Sequence, residues 1–104
     1  MDFAELRETN RARSENPRGF NLPLTAWSPA EWGCALAGEV GELCNLLKKL
    51  LRGDNPSIED ISCEIGDVAI YLDLLSSRLD LKLEDCIVLS FNRKSAVIGV
   101  SSQL

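Results

Sequence analysis

Between residues 29 and 52 apolar side chains return every three or four positions, and the same spacing resumes between 58 and 79. That period belongs to amphipathic helices. On a wheel of about 100° per residue, Leu36, Val40, Leu43, Leu46, Leu47 and Leu50 fall on one arc about 120° wide. Ile61, Val68, Tyr71, Leu72 and Leu75 share a second arc. Ser28-Pro29-Ala30-Glu31 reads as a capping box with proline at the first helical position, and Gly53 as the glycine that ends the helix. Ser57-Ile58-Glu59-Asp60 supplies the next N-cap, with acids facing the free amides. A short helix over 1–13, an irregular segment over 14–28 with two prolines and a glycine, a last helix over 83–96 and a weakly structured tail over 97–104 complete the pattern. No useful stretch alternates with period two. The expectation is an all-α chain, one domain over 1–104. It should be a helical bundle built on an antiparallel hairpin of two long helices, because their short connection forces them side by side.

Composition narrows the chemistry. The sequence has no histidine, which excludes a Ser-His-Asp triad, a histidine base and any histidine-ligated metal. With 16 Asp and Glu against 11 Lys and Arg, the net charge of −5 argues against a nucleic-acid polymer or an anionic membrane as partner and favours a cation. Cys34, Cys44, Cys63 and Cys86 form no C-x-x-C pair and read as reduced core thiols. The N-terminal residues are charged, and no apolar run nears the roughly 18 residues of a membrane span, so a cytoplasmic protein is expected.

Four acids stand apart from the rest. Glu39 lies within the first apolar arc and Glu42 borders it one turn on. Glu64 lies within the second arc, bordered by Asp67. Glu39-Val40-Gly41-Glu42-Leu43 and Glu64-Ile65-Gly66-Asp67-Val68 are one pattern repeated 25 residues apart. A carboxylate at a core-facing position must find a partner or take up a proton. On antiparallel neighbours the four can converge, and an all-oxygen set suits Mg²⁺, with Mn²⁺ as a substitute, bridging phosphate oxygens. Without metal, mutual repulsion should keep some of these groups protonated. Gly41 and Gly66 would permit close backbone approach. Two plainer readings stand beside this one: a solvated acidic face, or ion pairs with Lys48, Lys49, Arg52 or Arg78 in an oligomer interface. Lys49, beside Glu42, is the best placed of these to meet a phosphate.

The doubled motif resembles the MazG-like all-α nucleoside triphosphate pyrophosphohydrolases, a superfamily that includes dimeric dUTPases and phosphoribosyl-ATP pyrophosphatases. Trp27-Ser28-Pro29 leading to Glu39, Lys48-Lys49, Tyr71 after Asp67, and Phe91-Asn92-Arg93-Lys94 also resemble family positions. The similarity covers roughly residues 18–99. It implies that Glu39, Glu42, Glu64 and Asp67 hold Mg²⁺, and that one glutamate, with Glu39 preferred, deprotonates the water that attacks the α-phosphorus of a nucleoside triphosphate. Pyrophosphate and a nucleoside monophosphate would leave, in house-cleaning of non-canonical or surplus nucleotides. Lys49, Arg93 and Lys94 would contact phosphate, Asn92 base or phosphate, Trp27 or Phe20 would stack on the base, and Tyr71 would also bind substrate. A homodimer or homotetramer is implied. The chain departs from the family at Gly38 and Cys63, where an additional glutamate often stands. The alternative is a catalytically silent oligomeric nucleotide-binding or regulatory module.

Overall fold

A computed structural model describes residues Met1–Leu104. Four α-helices and no strand make up the chain: α1 (Phe3–Glu15), α2 (Pro29–Leu51), α3 (Ile58–Arg78) and α4 (Leu83–Ile98), with one 3₁₀ turn at Leu24–Ala26. The fold is an all-α helical bundle whose main packing is between α2 and α3. No helix is long and apolar enough to cross a membrane.

The local signals act where the sequence places them. Ser28 Oγ accepts from the Glu31 amide at 3.2 Å while Glu31 accepts from the Ser28 amide at 2.7 Å, closing the capping box. Arg52 caps α2, and Gly53 follows at φ 87°, a left-handed turn that glycine adopts without a Cβ penalty. Ser57 accepts from the Asp60 amide at 3.0 Å and starts α3.

Some boundaries move for identifiable reasons. Helix α1 occupies 3–15 rather than 1–13 because Asp2 is its N-cap, accepting from the Glu5 amide at 2.8 Å. Its last turn is held by Ser14, fully buried, whose hydroxyl donates to the Leu22 carbonyl at 2.9 Å. Helix α4 continues to Ile98 and ends on Gly99 at φ 76°. The tail beyond has no regular structure but is tied down, since the Asn92 side chain exchanges hydrogen bonds of 3.3 and 3.0 Å with the backbone of Leu104.

The core is small and lies at one end of the hairpin. Leu24, Trp32 and Leu74 are buried, with Leu22, Trp27, Ile70, Tyr71 and Leu75 packed around them. The Trp32 indole N–H donates to the Leu24 carbonyl at 2.9 Å, and its ring centroid lies 4.8 Å from that of Trp27. Helix α1 docks on α3 through a buried polar junction. Asp73, 2 % exposed, accepts from Arg7 Nε at 3.1 Å and from Asn10 Nδ2 at 2.9 Å, and Asn10 Nδ2 also donates to the Ile70 carbonyl at 2.9 Å. Arg7 further donates to the Leu81 carbonyl.

Cover is narrower than the helical arcs predict. Leu36, Leu43 and Leu46 of α2 are half-buried, while Val40, Leu47 and Leu50 are exposed. The reason is geometric: a single neighbouring helix covers a seam, not a 120° stripe. The same shortage corrects the expectation of core cysteines. Cys34, Cys44 and Cys63 are exposed and Cys86 is half-buried, all four as free thiols. Gly41 and Gly66 make no close approach either, because a Cβ at each would meet nothing within 4 Å. A radius of gyration of 16.1 Å, against about 13 Å for a compact domain of this size, reflects the same thin cover.

Candidate metal centre

The α2–α3 seam that half-buries Leu43 and Val68 also half-buries Glu39, Glu64 and Asp67. One carboxylate oxygen from each of these three lies within 4.8 Å of the others. Two come from adjacent turns of α3 and one from α2, so the cluster exists only because the hairpin closes. Glu42 is more exposed, and its charge acts on both Glu39 and Glu64. The four acids singled out in the sequence are brought together, three as a tight group and Glu42 at the rim.

Electrostatics within the group is unfavourable by itself. Removal from water, then repulsion from Glu42 and Asp67, holds the Glu39 carboxyl above its ordinary value of 4.5. Glu64 is raised likewise, first by loss of water and next by Glu42. Oxygen Oε2 of Glu64 is buried and has no hydrogen-bond partner. A buried carboxylate oxygen left this way is costly unless a proton or a cation meets it. The basic residues that might have neutralised the cluster do not. Arg52 pairs with Asp54 at 2.7 Å, Arg78 Nε donates to the Trp27 carbonyl at 2.8 Å, and neither Lys48 nor Lys49 forms an ion pair with any of the four acids. An all-oxygen group with one orphaned acceptor and no internal counter-charge fits a hard divalent cation.

Tyr71 borders the cluster. Burial, followed by the charges of Glu39, Asp67 and Glu42, raises its phenol above 10.0, so it stays protonated and can donate; Arg13 acts in the opposite sense. Phe20 is half exposed and lies under the Arg13 guanidinium, 5.6 Å from ring centroid to Cζ. Trp27 packs against Trp32 and borders a cavity with Ala30, Glu31, Cys34 and Ala35. Lys49 is exposed on the last turn of α2. Arg93 and Lys94 line an open groove on α4 with Cys86, Leu89, Ser90 and Val97, and the Asn92 amide is engaged by the tail, so these three are not assembled with the carboxylates by contacts within the chain.

Arg13 and Asn10 escaped the sequence reading. Their spacing of three puts them on one face of α1, but which face meets α3 was not readable from a helix whose apolar pattern is weak.

Comparison with known proteins adds one partial relative. The gene 37 protein of Mycobacterium phage L5 is 40 % identical over 53 residues, 46 % of this chain and 46 % of that protein. The chain thus spans about half the length of the curated relative it matches. No protein-family profile matches the chain, and no solved structure matches it.

Proposed function

We propose that this chain is a Mg²⁺-dependent nucleoside triphosphate pyrophosphohydrolase of the MazG-like kind, converting a nucleoside triphosphate to the monophosphate and pyrophosphate. The observation that carries the reading is the orphaned Glu64 Oε2 within a group of three carboxylates from two helices. Glu39, Glu64 and Asp67 would hold the ion, with Glu42 at the rim. Bound Mg²⁺ supplies neutralisation of phosphate charge and acidification of water, and Mn²⁺ can substitute.

The residues divide the remaining work. One of the glutamates, with Glu39 preferred, takes the proton from the water that attacks the α-phosphorus. As the new P–O bond forms, the bond from the α-phosphorus to the α–β bridging oxygen breaks and pyrophosphate leaves. Tyr71 donates a hydrogen bond to the ligand from beside the cluster. The incomplete cover of α2, α3 and α4 supports a homodimer or homotetramer, in which Asn92, Arg93 and Lys94 would reach the cluster of a second copy. In that assembly the role of the protein is removal of surplus or non-canonical nucleotides.

Pyrophosphate release from a panel of ribo- and deoxyribonucleoside triphosphates, with Mg²⁺ and with chelator, tests the reading. Metal-dependent turnover of at least one is expected, and Glu39→Gln should lower it by about 10²-fold or more while leaving the helical signal unchanged. No turnover of any nucleotide by metal-loaded protein would overturn the enzyme and leave the silent module.

A further inference from the structure

Four arginines of this chain have their guanidinium groups engaged by protein oxygens. Arg7 pairs with Asp73, Arg11 with Glu15 and Arg52 with Asp54, and Arg78 donates to the Trp27 carbonyl. Arg13 differs, because its contact is the face of Phe20, and a guanidinium stacked on a ring keeps its N–H edge free.

That placement is built. The turn after α1 folds back on the helix end, with the Phe20 amide donating to the Arg13 carbonyl at 3.3 Å and the Leu22 amide to the Ser14 carbonyl at 2.7 Å. Gly19 is needed there, since a Cβ would collide with the Arg13 carbonyl. Phe20 is therefore held beneath the Arg13 side chain by backbone bonds.

The register of α1 on α3 brings this arginine to the carboxylates. Arg7 meets Asp73, and Asn10 one turn on meets both Asp73 and Ile70, so the two helices run antiparallel. One further turn places Arg13 level with Asp67. Arg13 also lines, with Met1, Leu6, Thr9, Asn10 and Ile70, a cavity of about 170 Å³ beside α3. Asn10, 4 % exposed, lines the same cavity. Its Nδ2 is committed to two acceptors, and its Oδ1 is buried without a partner. An unpaired fork of donors thus stands on the turn of α1 that follows the Asn10 junction, near enough to Tyr71 for its charge to be felt there.

We propose that Arg13 is the anion-holding arm of the site, gripping terminal phosphate oxygens of a polyphosphate ligand opposite the carboxylates, with Phe20 as the residue that positions it. The inference rests on the metal-site reading above and adds the counter-charge which that reading lacks within one chain. A polyphosphate carries more negative charge than one divalent ion neutralises, and a planar fork meets two phosphate oxygens at once.

Two titrations test it on the intact chain: Mn²⁺ alone, then inorganic tripolyphosphate in the presence of Mn²⁺, each by calorimetry. Arg13→Ala and Arg13→Gln should bind Mn²⁺ as the unaltered protein does, which also shows that they fold. Both should bind tripolyphosphate about ten- to a hundredfold more weakly. Arg13→Lys should recover part of the loss, since it keeps the charge without the fork. Equal tripolyphosphate affinity in the unaltered protein and Arg13→Ala, with Mn²⁺ bound by both, overturns the arm and leaves the metal site standing. Failure of the unaltered protein to bind Mn²⁺ overturns the metal site, and the arm falls with it.

Discussion

The two ends of the α2–α3 hairpin carry similar apolar stripes and have different fates. Around Trp32 and Leu74, α1 and the Leu24–Ala26 turn close over the helices, leaving Trp32 1 % and Leu74 0 % exposed. Toward the hairpin tip Ile61, 7 % exposed, is covered, while Leu47, Leu50, Leu51 and Ile58 are 44 %, 49 %, 87 % and 79 % exposed. An amphipathic stripe specifies which residues need cover and not what provides it. The carboxylates sit between these regimes, dry enough for Glu64 Oε2 to lose its water and open enough for a ligand to approach.

Removing the closed end's anchor should have the largest effect. Trp32→Ala takes away a fully buried indole, its hydrogen bond to Leu24 and its contact with Trp27, and should cost about 3–5 kcal/mol in denaturant unfolding. A loss below about 1 kcal/mol would mean that the two ends are not energetically different.

The boundary between the ends should show itself in pH. Glu39 and Glu64 are raised above 4.5 in the folded chain, so folding favours their protonated forms. Their stabilising contribution is complete below 4.5 and is lost as pH rises through the raised values. Thermal unfolding of metal-free protein should therefore show the Glu39→Gln variant gaining on the unaltered chain as pH rises from acid to neutral, with added Mg²⁺ reversing the gain. A difference independent of pH and metal would remove the electrostatic account of the cluster.

The smallest effect belongs to the open tip. Leu51→Ser, at an 87 % exposed position, should change the stability of an isolated chain by less than about 0.5 kcal/mol. A larger loss that depends on protein concentration would show that a second copy covers this end, and light scattering on the same samples would report the change of mass.

Much of this was legible in the residues. Capping at Ser28 and Ser57, the break at Gly53 and the apolar period of α2 and α3 are local effects, and local effects can be read along a chain. The meeting of Glu39, Glu42, Glu64 and Asp67 was legible for a related reason: a short connection makes two helices neighbours, and the doubled motif then sets their level. Cys34, Cys44 and Cys63 misled because apolar neighbours in sequence do not show how wide the covered seam is. The placement of Arg13 was invisible because it depends on how α1 lies on α3 and on the turn that brings Phe20 beneath it.

The sequence by itself determined the helices, their caps, the hairpin and the acids that face its seam, since each follows from spacing and from bonds within a few residues. Only the tertiary structure decided that α1 docks through Asp73, that Glu64 Oε2 is left without a partner and that Arg13 stacks on Phe20. Burial and register between segments distant in sequence arise from packing, which no local pattern encodes.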